Sequence, residues 1–334
     1  MLKTIIVGLG NQAQKDHIPA VLRRKDLRIV ALVDTNRTVL KTISDRLDIK
    51  PFTDVREALK KTKPDIAIVS VPHNKYLSIL ELLAKNHVAT LKEKPLSMSF
   101  AEAEKVINLY KTNNTYLQIC VQRRFSDLYE TVAKLILEIG NIYSIYIEYT
   151  LNLTAEDMAS GWRADKNKSG GGAVIDMGYH IIDLLTYLFD IPDRIYAQVN
   201  YNSIGGGYTI DDTMKAMMTF KNQINTNIVV TKIYNQKNEK VRIFGSEGSV
   251  YVDGRKVTLF DKDKNEIESH IFNSKQHEVD RQLDYFVNNY KNDGLSNKGA
   301  DKLLGDQKKN MWVIDTIYKS NSTRKVINLK KEDL

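Results

Sequence analysis

The chain of 334 residues has very little cysteine, since Cys120 is its single cysteine. One thiol forms neither an intramolecular disulfide nor a thiolate-cluster metal site. Because disulfides belong to oxidising compartments, a reducing cytoplasm is the simplest expected location. The chain also lacks an apolar run near the roughly 18–20 residues that cross a bilayer, so we expect no membrane segment. Its apolar run at residues 4–10 is short and predicts a buried strand, not a signal segment.

Acidic residues are scarce in the first 120 positions, which hold 20 Lys and Arg against 12 Asp and Glu. The remaining positions are balanced, with 29 of each kind. An uneven positive charge favours an anionic ligand such as a dinucleotide, or a nucleic acid, although a solvated basic surface is the plain alternative. The basic residues are not interleaved with aromatic ones, and no nucleic-acid-binding motif is present. We therefore expect no nucleic-acid partner.

Short apolar runs alternate with helical patterns through the first part of the chain. A chain of this length is longer than those that usually fold around one hydrophobic core, so two domains are expected, at residues 1–121 and 122–334. Strands that alternate with helices predict a parallel, doubly wound sheet of the Rossmann type in the first domain. The predicted strands are Lys3–Gly8, Arg28–Asp34, Pro64–Ser70, His87–Leu91 and Thr115–Val121. The predicted helices are Ile18–Lys25, Arg37–Leu47, Tyr76–Asn86 and Ser99–Thr112.

A glycine-rich turn follows the first predicted strand. Its residues are Gly8, Gly10, Asn11, Gln12 and Ala13, in the pattern G-x-G-x-x-A. Gly8 permits a tight turn, Gly10 lets the backbone approach a pyrophosphate, and Ala13 allows close packing of helix on strand. The N–H groups of the following helix N-terminus suit phosphates. The position of the motif at the start of a strand–helix unit predicts dinucleotide binding.

Asp34 closes the second predicted strand. A carboxylate there can accept hydrogen bonds from the adenosine ribose and would repel a 2′-phosphate, which favours NAD over NADP. The alternative is a turn aspartate in Asp34-Thr35-Asn36 that caps the next helix, and both roles can coexist. Arg37 keeps NADP open, because a nearby arginine can accept a 2′-phosphate. Asp34, Thr35 and Arg37 are therefore predicted cofactor residues.

After Arg124 the alternation of strands and helices stops. Consecutive strands with short turns predict a large, mostly antiparallel, open-faced sheet in an α+β domain. The predicted strands are Tyr143–Leu151, Arg194–Asn202, Thr209–Phe220, Gln223–Lys232, Lys240–Phe244, Ser249–Val252 and Lys256–Phe260. Helices are predicted at Asp127–Ile139, from the glycines at 170–172 to Phe189, and near Gln276–Tyr290 and Ala300–Ser320.

Asp176 and His180 are four residues apart in the predicted helix after these glycines. Residues at this spacing share one helix face, and an aspartate beside a histidine can orient the ring and support its protonated form. Such a pair suits general acid–base chemistry. Taken alone, His180 would more often be a core histidine. Lys94, in the segment Lys92-Glu93-Lys94-Pro95, would alone be a surface lysine.

The motifs taken together resemble the Gfo/Idh/MocA oxidoreductases, the glucose–fructose oxidoreductase and inositol dehydrogenase superfamily. The resemblance covers most of the chain. It rests on the glycine turn continued through His17-Ile18-Pro19-Ala20, on Glu93-Lys94-Pro95, and on Gly171-Gly172 through Asp176, Gly178, His180 and Asp183. It implies an NAD(P)-dependent dehydrogenase acting on CH–OH groups of sugars, polyols or nucleotide sugars. It also implies homodimers or homotetramers formed through the second sheet.

The resemblance also implies roles for individual residues. The family's catalytic lysine falls on Lys94, and its aspartate and histidine fall on Asp176 and His180. We expect His180 to move the hydroxyl proton, Asp176 to hold the substrate or orient His180, and Lys94 to stabilise charge on the reacting oxygen. Glu93 and Lys94 also belong to the expected cofactor site.

One segment departs from the family pattern. Where the family often has Thr-Pro-Asn-x-x-His, this chain has Val71-Pro72-His73-Asn74-Lys75-Tyr76. Because the segment normally borders the cofactor, we expect cofactor contacts from Val71, Pro72, His73 and Tyr76.

The predicted substrate residues lie outside these motifs or at their margins. They are Arg124, Trp162, Arg163, Tyr179 and Asp183. An arginine could bind a phosphate or carboxylate with both of its terminal nitrogens, which would suit a nucleotide-linked or acidic sugar. Asp183 could instead be only a hydrogen-bond partner between domains.

Two other functions of the same fold stay open. One is a dinucleotide-binding, sugar-responsive regulator without turnover, against which the presence of Lys94, Asp176 and His180 argues. The other is an NAD-dependent glycosidase. A metal enzyme is not expected, because His73, His87, His180, His270 and His277 show no ligand spacing.

Overall fold

The computed structural model describes residues 1–272, 276–293 and 300–330, together with residues 332 and 334. The chain divides into two compact units, Met1–Gln122 with Gln276–Lys308, and Arg123–Lys275 with Lys309–Leu334. The sequence assigns everything after residue 121 to the second domain, whereas the structure adds the segment 276–308 to the first unit. The functional assignment of the two domains stays a prediction.

The strands and helices run through the chain in the following order. The strands are β1 Leu2–Val7, β2 Leu27–Val33, β3 Pro51–Phe52, β4 Ile66–Val69, β5 Ala89–Lys92, β6 Leu117–Ile119, β7 Ile142–Asn152, β8 Arg194–Tyr201, β9 Asp211–Thr219, β10 Asn225–Thr231, β11 Ile233–Gly245, β12 Gly248–Asp253, β13 Lys256–Asp261, β14 Glu266–Ile271 and β15 Ile327–Asn328. The α-helices are α1 Ile18–Leu22, α2 Arg37–Leu47, α3 Val55–Thr62, α4 Tyr76–Lys85, α5 Phe100–Thr112, α6 Asp127–Leu135, α7 Ala155–Ala159, α8 Lys166–Ser169, α9 Tyr179–Phe189, α10 Gln276–Asp293 and α11 Ala300–Thr323. Two π-helical turns, Ala13–His17 and Ala173–Gly178, lead into α1 and α9.

The first unit is built on a parallel sheet in the order β3-β2-β1-β4-β5-β6. This confirms the predicted doubly wound Rossmann sheet. The order reverses between β1 and β4, so the segments that follow these two strands lie at the switch point where such sheets bind ligands. These segments begin with Gly8 and Ser70.

Local sequence explains how helices of this unit begin and pack. Asn36 precedes α2, and its side chain accepts hydrogen bonds from the N–H groups of Thr38 and Val39 at 3.1 and 3.2 Å. This is the N-cap geometry that asparagine favours. Helix α10 joins the unit because its apolar face, which includes Phe286, packs into the hydrophobic core. The rings of Phe286 and Tyr116 lie 5.1 Å apart.

The second unit contains a sheet in the order β14-β13-β12-β11-β7-β10-β9-β8-β15. Its strand pairs are antiparallel except for β7 and β10, which are parallel. The predicted mostly antiparallel sheet is therefore confirmed. Alternate residues of β9 from Asp212 to Met218 are buried, as expected for a sheet with one packed face.

None of the helices in the described part of the chain is long and apolar enough to cross a membrane.

Candidate active site

The glycine turn after β1 has the geometry expected for close approach of a ligand. Gly8 has a φ of +87°, and a Cβ there would lie 2.2 Å from the carbonyl oxygen of Ser70. Gly10 is different, because a Cβ at this position would meet no atom within 4 Å. Gly8 is thus required by the fold, whereas Gly10 leaves open space beside the backbone. Asn11 is exposed and Gln12 is half-buried, while Ala13 is fully buried.

Asp34 ties this turn to the end of β2. One carboxylate oxygen accepts a hydrogen bond from the N–H of Leu9 at 2.7 Å, and the other accepts from the N–H of Asn36 at 2.8 Å. The turn role that the sequence left open is therefore present, but the residue that caps α2 is Asn36, and not Asp34 as that alternative had it. Asp34 stays half-buried, and Thr35 and Arg37 are exposed. These accessible side chains suit the adenosine end of a dinucleotide.

The segment after β4 forms contacts that the sequence did not predict. Val71 and Pro72 are partly accessible, but His73 and Tyr76 are buried and stack at a ring separation of 5.8 Å. The ammonium of Lys92 lies over the Tyr76 ring, 3.3 Å from its centre. Tyr76 therefore packs on the buried Lys92 nitrogen, and the cofactor contacts expected from His73 and Tyr76 stay predictions that burial does not favour.

Lys92 and Glu93 support the loop that carries Lys94. The ammonium of Lys92 donates hydrogen bonds to the carbonyl oxygens of Pro95 and Glu93, the latter at 2.9 Å. The Glu93 carboxylate accepts from the backbone N–H of Lys94 at 3.2 Å and lies 2.8 Å from Nε2 of His17. Burial alone would raise the pKa of Glu93, but the hydrogen bond and charge of His17 lower it below its usual value. Lys94 itself is half-buried.

His17, Glu93 and Cys120 form a buried cluster of possible metal ligands. Their ligand atoms lie within 4.8 Å of one another. The sequence analysis did not consider His17 for this role. Burial, and then the charge of Glu93, raises the pKa of the Cys120 thiol well above its usual range, and the thiol is hydrogen-bonded to Glu93. In the structure the three side chains form a hydrogen-bonded network, in which Glu93 is bonded to both His17 and Cys120. The expected absence of a metal stays a prediction.

In the second unit, the glycines before α9 bring the backbone close to β9. A Cβ on Gly172 would lie 1.9 Å from the carbonyl oxygen of Asp211. The buried Asp211 carboxylate accepts hydrogen bonds from the N–H groups of Gly172 and Val174, both at 2.7 Å, and from the hydroxyl of Tyr318 at 2.9 Å. An anion here stabilises the N-terminal end of the helical segment. The glycines therefore serve close packing and a carboxylate cap.

Asp176 and His180 are the accessible residues of this segment. In residues 171–186, every residue is buried except these two. The structure differs in detail from the predicted continuous α-helix, because Asp176 lies in the π-helical turn and His180 lies in α9. Since their neighbours are packed inside the unit, these two polar side chains are the accessible ones in this segment.

Two cations adjoin the Asp176 carboxylate. The ammonium of Lys232 donates to its Oδ2 at 2.9 Å, and Nε of Arg163 lies 3.8 Å from the same oxygen. The guanidinium of Arg163 also lies over the half-buried Trp162 ring, 4.5 Å from its centre. The structure thus brings the predicted residue Arg163 to Asp176, and the predicted residue Trp162 stacks on the Arg163 guanidinium.

The other predicted substrate residues are packed inside the second unit. Nε of Arg124 donates to both carboxylate oxygens of Asp183, at 3.1 and 2.9 Å, and its Nη2 donates to Oδ1 at 2.7 Å. Asn310 also donates to Asp183 at 2.7 Å. Tyr179 is fully buried. The substrate roles of Arg124, Tyr179 and Asp183 stay predictions, and the geometry favours a packing role for all three.

Lys92, Lys232 and Asp211 were not predicted from the sequence as residues that support the site. Lys232 had a detectable signal, because it continues the alternation of Thr226, Ile228 and Val230, which are buried. Lys92 is the last residue of β5, in which every residue is buried, and a lysine in such a strand is predicted to point into the protein. Asp211 gave no signal, because its partners, two backbone N–H groups and the Tyr318 hydroxyl, are all distant in sequence.

Comparisons with known proteins agree with this architecture. Residues 2–120 match the family model for the oxidoreductase family with an NAD-binding Rossmann fold, and residues 129–251 match the GFO/IDH/MocA C-terminal domain. Glucose-6-phosphate 3-dehydrogenase of Bacillus subtilis (strain 168) is 27% identical over 70% of this chain and 68% of its own length. D-glucoside 3-dehydrogenase of Escherichia coli (strain K12) is 25% identical over 66% of this chain and 67% of its own length. The chain aligns with 57% of the length of a further relative, an oxidoreductase subunit from Amycolatopsis mediterranei.

A solved structure has the same fold throughout. The complex of levoglucosan dehydrogenase with NADH and levoglucosan has a TM-score of 0.86 and covers 99% of this chain and 100% of its own. The sequence identity is 16%, so this likeness concerns the fold alone.

Proposed function

The chain belongs to the Gfo/Idh/MocA family of NAD-binding oxidoreductases, and from this premise we propose that it is a dehydrogenase of the hydroxyl groups of sugars or sugar derivatives. The observation that carries the proposal is the accessibility of Asp176 and His180 in an otherwise buried segment. Lys94, the third residue of the motif set, lies on a loop whose backbone is held by Lys92 and Glu93.

The glycine turn of the first unit fits a dinucleotide. The open space at Gly10 and the half-buried, fixed carboxylate of Asp34 are what a pyrophosphate and a ribose require. Exposed Thr35 and Arg37 and partly accessible Val71 and Pro72 complete the residues that would hold it. When bound, the nicotinamide supplies the acceptor and donor of a hydride. Because Asp34 would repel a 2′-phosphate, we propose NAD as the preferred cofactor.

The protein residues have distinct tasks in this proposal. His180 takes the hydroxyl proton during oxidation and returns it during reduction, which contributes about 10²–10⁴-fold to such reactions. The Asp176 carboxylate accepts hydrogen bonds from substrate hydroxyls. Lys94 donates to the reacting oxygen and stabilises its negative charge.

The relatives narrow the substrate that is worth testing first. Two of them are named for dehydrogenation at position 3 of glucose 6-phosphate and of D-glucosides. Arg163 offers an exposed guanidinium beside Asp176, and a guanidinium suits a phosphate. We therefore propose a glucose derivative with a phosphate or nucleotide group, oxidised at its C3 hydroxyl.

We also propose that copies of this chain assemble through the open face of the second sheet. Four rings on this face, Tyr146, Phe244, Tyr251 and Phe260, form a row with successive centre distances of 6.0, 5.8 and 4.9 Å. Tyr146 is 51% exposed, and an aromatic row that is open to water favours a protein partner. The location in a reducing cytoplasm also stays a proposal, which rests on the single cysteine.

The test is a substrate panel that is read by nicotinamide absorbance. The panel holds glucose 6-phosphate, methyl glucoside, inositol and a UDP-sugar, each with NAD⁺ and with NADP⁺. We expect turnover that falls about 10²–10⁴-fold in His180→Ala and strongly in Lys94→Ala. The matched controls Lys105→Ala and His270→Ala change exposed residues and should keep the rate.

The outcomes separate the candidate functions. Unchanged turnover in Lys94→Ala or His180→Ala would remove that residue from the proposal, and equal rates with NADP⁺ would contradict the NAD preference. Glycoside cleavage without net nicotinamide reduction would indicate the glycosidase. NAD binding without turnover of any substrate would indicate the regulator.

A further inference from the structure

Lys232 is a buried lysine at the bend between β10 and β11. Its backbone N–H donates to the carbonyl of Asp212, and its own carbonyl accepts from Leu153, both at 2.9 Å. These bonds fix the backbone, and the side chain is only 5% exposed. Lysines are almost never buried to this extent unless they are paired. The partner here is Oδ2 of Asp176, at 2.9 Å.

The carboxylate that Lys232 contacts is itself open to a ligand. The side chain of Asp176 is 18% exposed, so solvent or a ligand can reach it, while Lys232 contacts its Oδ2 from the buried side. Arg163 approaches the same oxygen from a different segment, but at 3.8 Å and with 57% of its side chain exposed. Lys232 is thus the close and buried cation of the two.

We propose that Lys232 is a positioning residue of the reaction, which keeps Asp176 as a fixed anion that binds substrate hydroxyls. This inference rests on the proposed dehydrogenase function. An opposite charge within about 4–6 Å favours the ionised form of a carboxyl group. An ionised carboxylate only accepts hydrogen bonds, so Asp176 can hold a sugar hydroxyl but has no proton to give. The proton transfer is therefore left to His180.

A purely structural role for Lys232 makes different predictions. A buried ion pair that only joins the π-helical turn to β10 would affect stability, and its loss would lower Tm without changing the pH dependence of catalysis. A positioning role links Lys232 to the protonation of Asp176 and to substrate affinity. The pH profile and the separation of KM from kcat distinguish the two roles.

Several titratable or charged groups face Asp176. Lys232 comes from the β10–β11 bend, and Arg163 comes from the turn at residues 162–164. Tyr149 of β7 is near enough that Asp176 contributes, after burial and the charge of Glu239, to raising its pKa. His180 lies one turn further along the same segment. Lys232 approaches the carboxylate more closely than Arg163 does, at 2.9 against 3.8 Å, so its removal should favour the protonated form of Asp176 more strongly.

The test compares Lys232→Met with Lys232→Arg. In Lys232→Met we expect KM for the sugar to rise and kcat/KM to fall by about 10²-fold, as for a misplaced contact group. The acid limb of kcat/KM should move to higher pH, because Asp176 then takes up a proton more easily. Lys232→Arg should restore both the limb and most of the rate. Lys168→Met, which breaks the half-exposed pair with Asp165, is the matched control and should keep the wild-type profile.

A second measurement does not depend on turnover. The carboxyl-carbon NMR signal of Asp176, assigned by its loss in Asp176→Asn, should titrate at higher pH in Lys232→Met than in the wild type and in Lys232→Arg. An unchanged titration would overturn the inference, even if no substrate is found. Wild-type turnover with an identical pH profile in Lys232→Met would also overturn it and leave the dehydrogenase function intact. A wild type without turnover would contradict the function alone.

Discussion

Lys92 has no exposed surface, yet it carries an ionisable amine into the core of the first unit. Its ammonium donates to the carbonyl oxygens of Glu93 and Pro95, which flank Lys94 in the sequence. The Tyr76 ring covers it from the other side. In this chain a tyrosine therefore stands where the family often has histidine, and it forms a stacking surface for a lysine. A single buried residue thus fixes the loop on which a predicted catalytic residue lies.

The burial of Lys92 predicts a specific dependence of stability on pH. Burial lowers the pKa of Lys92 well below its ordinary value of 10.5. Between the lowered folded pKa and the ordinary value, the unfolded chain binds a proton that the folded protein does not. Stability therefore rises with pH through this window and levels off above it. Lys92→Met removes this contribution, so its Tm should rise less than that of the wild type as the pH increases toward the ordinary lysine pKa.

The measurement is the difference in Tm between the two proteins at each pH. The contributions of titrating groups that both proteins share cancel in this difference. The exposed Lys105 provides a control, and Lys105→Met should follow the wild type at every pH. A Tm difference that does not change with pH would show that burial of Lys92 is not linked to proton release.

At the scale of elements, regular patterns were predictable and irregular ones were not. Helix α2 has the predicted bounds Arg37–Leu47, because an asparagine cap and a clear apolar face define it. The elements that were not predicted include α3, which has only 8 residues, and β14, whose residues are mostly exposed and show no alternation. The π-helical turn that contains Asp176 has the same composition as an α-helix, so the sequence could not indicate it.

The candidate site was predictable to a similar degree. Lys94, Asp176 and His180 lie in local motifs, and motifs can be recognised without a structure. Arg124 and Asp183 are 59 residues apart and form their ion pair through tertiary packing, so each looked like a free substrate residue in the sequence. Lys232 is 56 residues from Asp176 and was missed for the same reason.

The turn between β1 and the first helical segment contains two glycines, Gly8 and Gly10, whose surroundings differ. Gly10→Ala should leave Tm nearly unchanged, because a Cβ there meets nothing within 4 Å. It should nevertheless weaken NAD binding by about tenfold or more, since the added methyl group fills the space that a pyrophosphate needs. Isothermal titration with NAD⁺ and a thermal melt of the same protein measure both quantities.

Gly8→Ala is the contrasting variant in the same turn. Its positive φ and the approach to Ser70 predict a loss of stability of about 1–3 kcal/mol. If Gly10→Ala bound NAD⁺ as tightly as the wild type, the pyrophosphate would not lie at this turn. If it melted as early as Gly8→Ala, the space at Gly10 would be occupied by the protein.

At the scale of the whole molecule, the second sheet presents a face that its own unit does not fully cover. Strand register places Tyr146 beside Asn227 and then Met217 on one side, and beside Arg242 and then Tyr251 on the other. Tyr146 and Met217 are 51% and 60% exposed. In this register Asn227 and Arg242 alternate with Met217, Tyr146 and Tyr251. A face that combines exposed aromatic rings with polar groups is typical of a protein interface, so this patch favours association.

This patch predicts that the oligomer depends on Tyr146. We expect the wild type to elute as a dimer or tetramer in size-exclusion chromatography with light scattering. Tyr146→Arg should shift the equilibrium toward the monomer, because each copy in a symmetric interface would bury an unpaired guanidinium. Leu137→Arg alters a side chain that is more exposed, at 82%, but lies outside the sheet, and it should keep the wild-type mass. A monomeric wild type, or an oligomer that Leu137→Arg disrupts and Tyr146→Arg does not, would place association elsewhere on the chain.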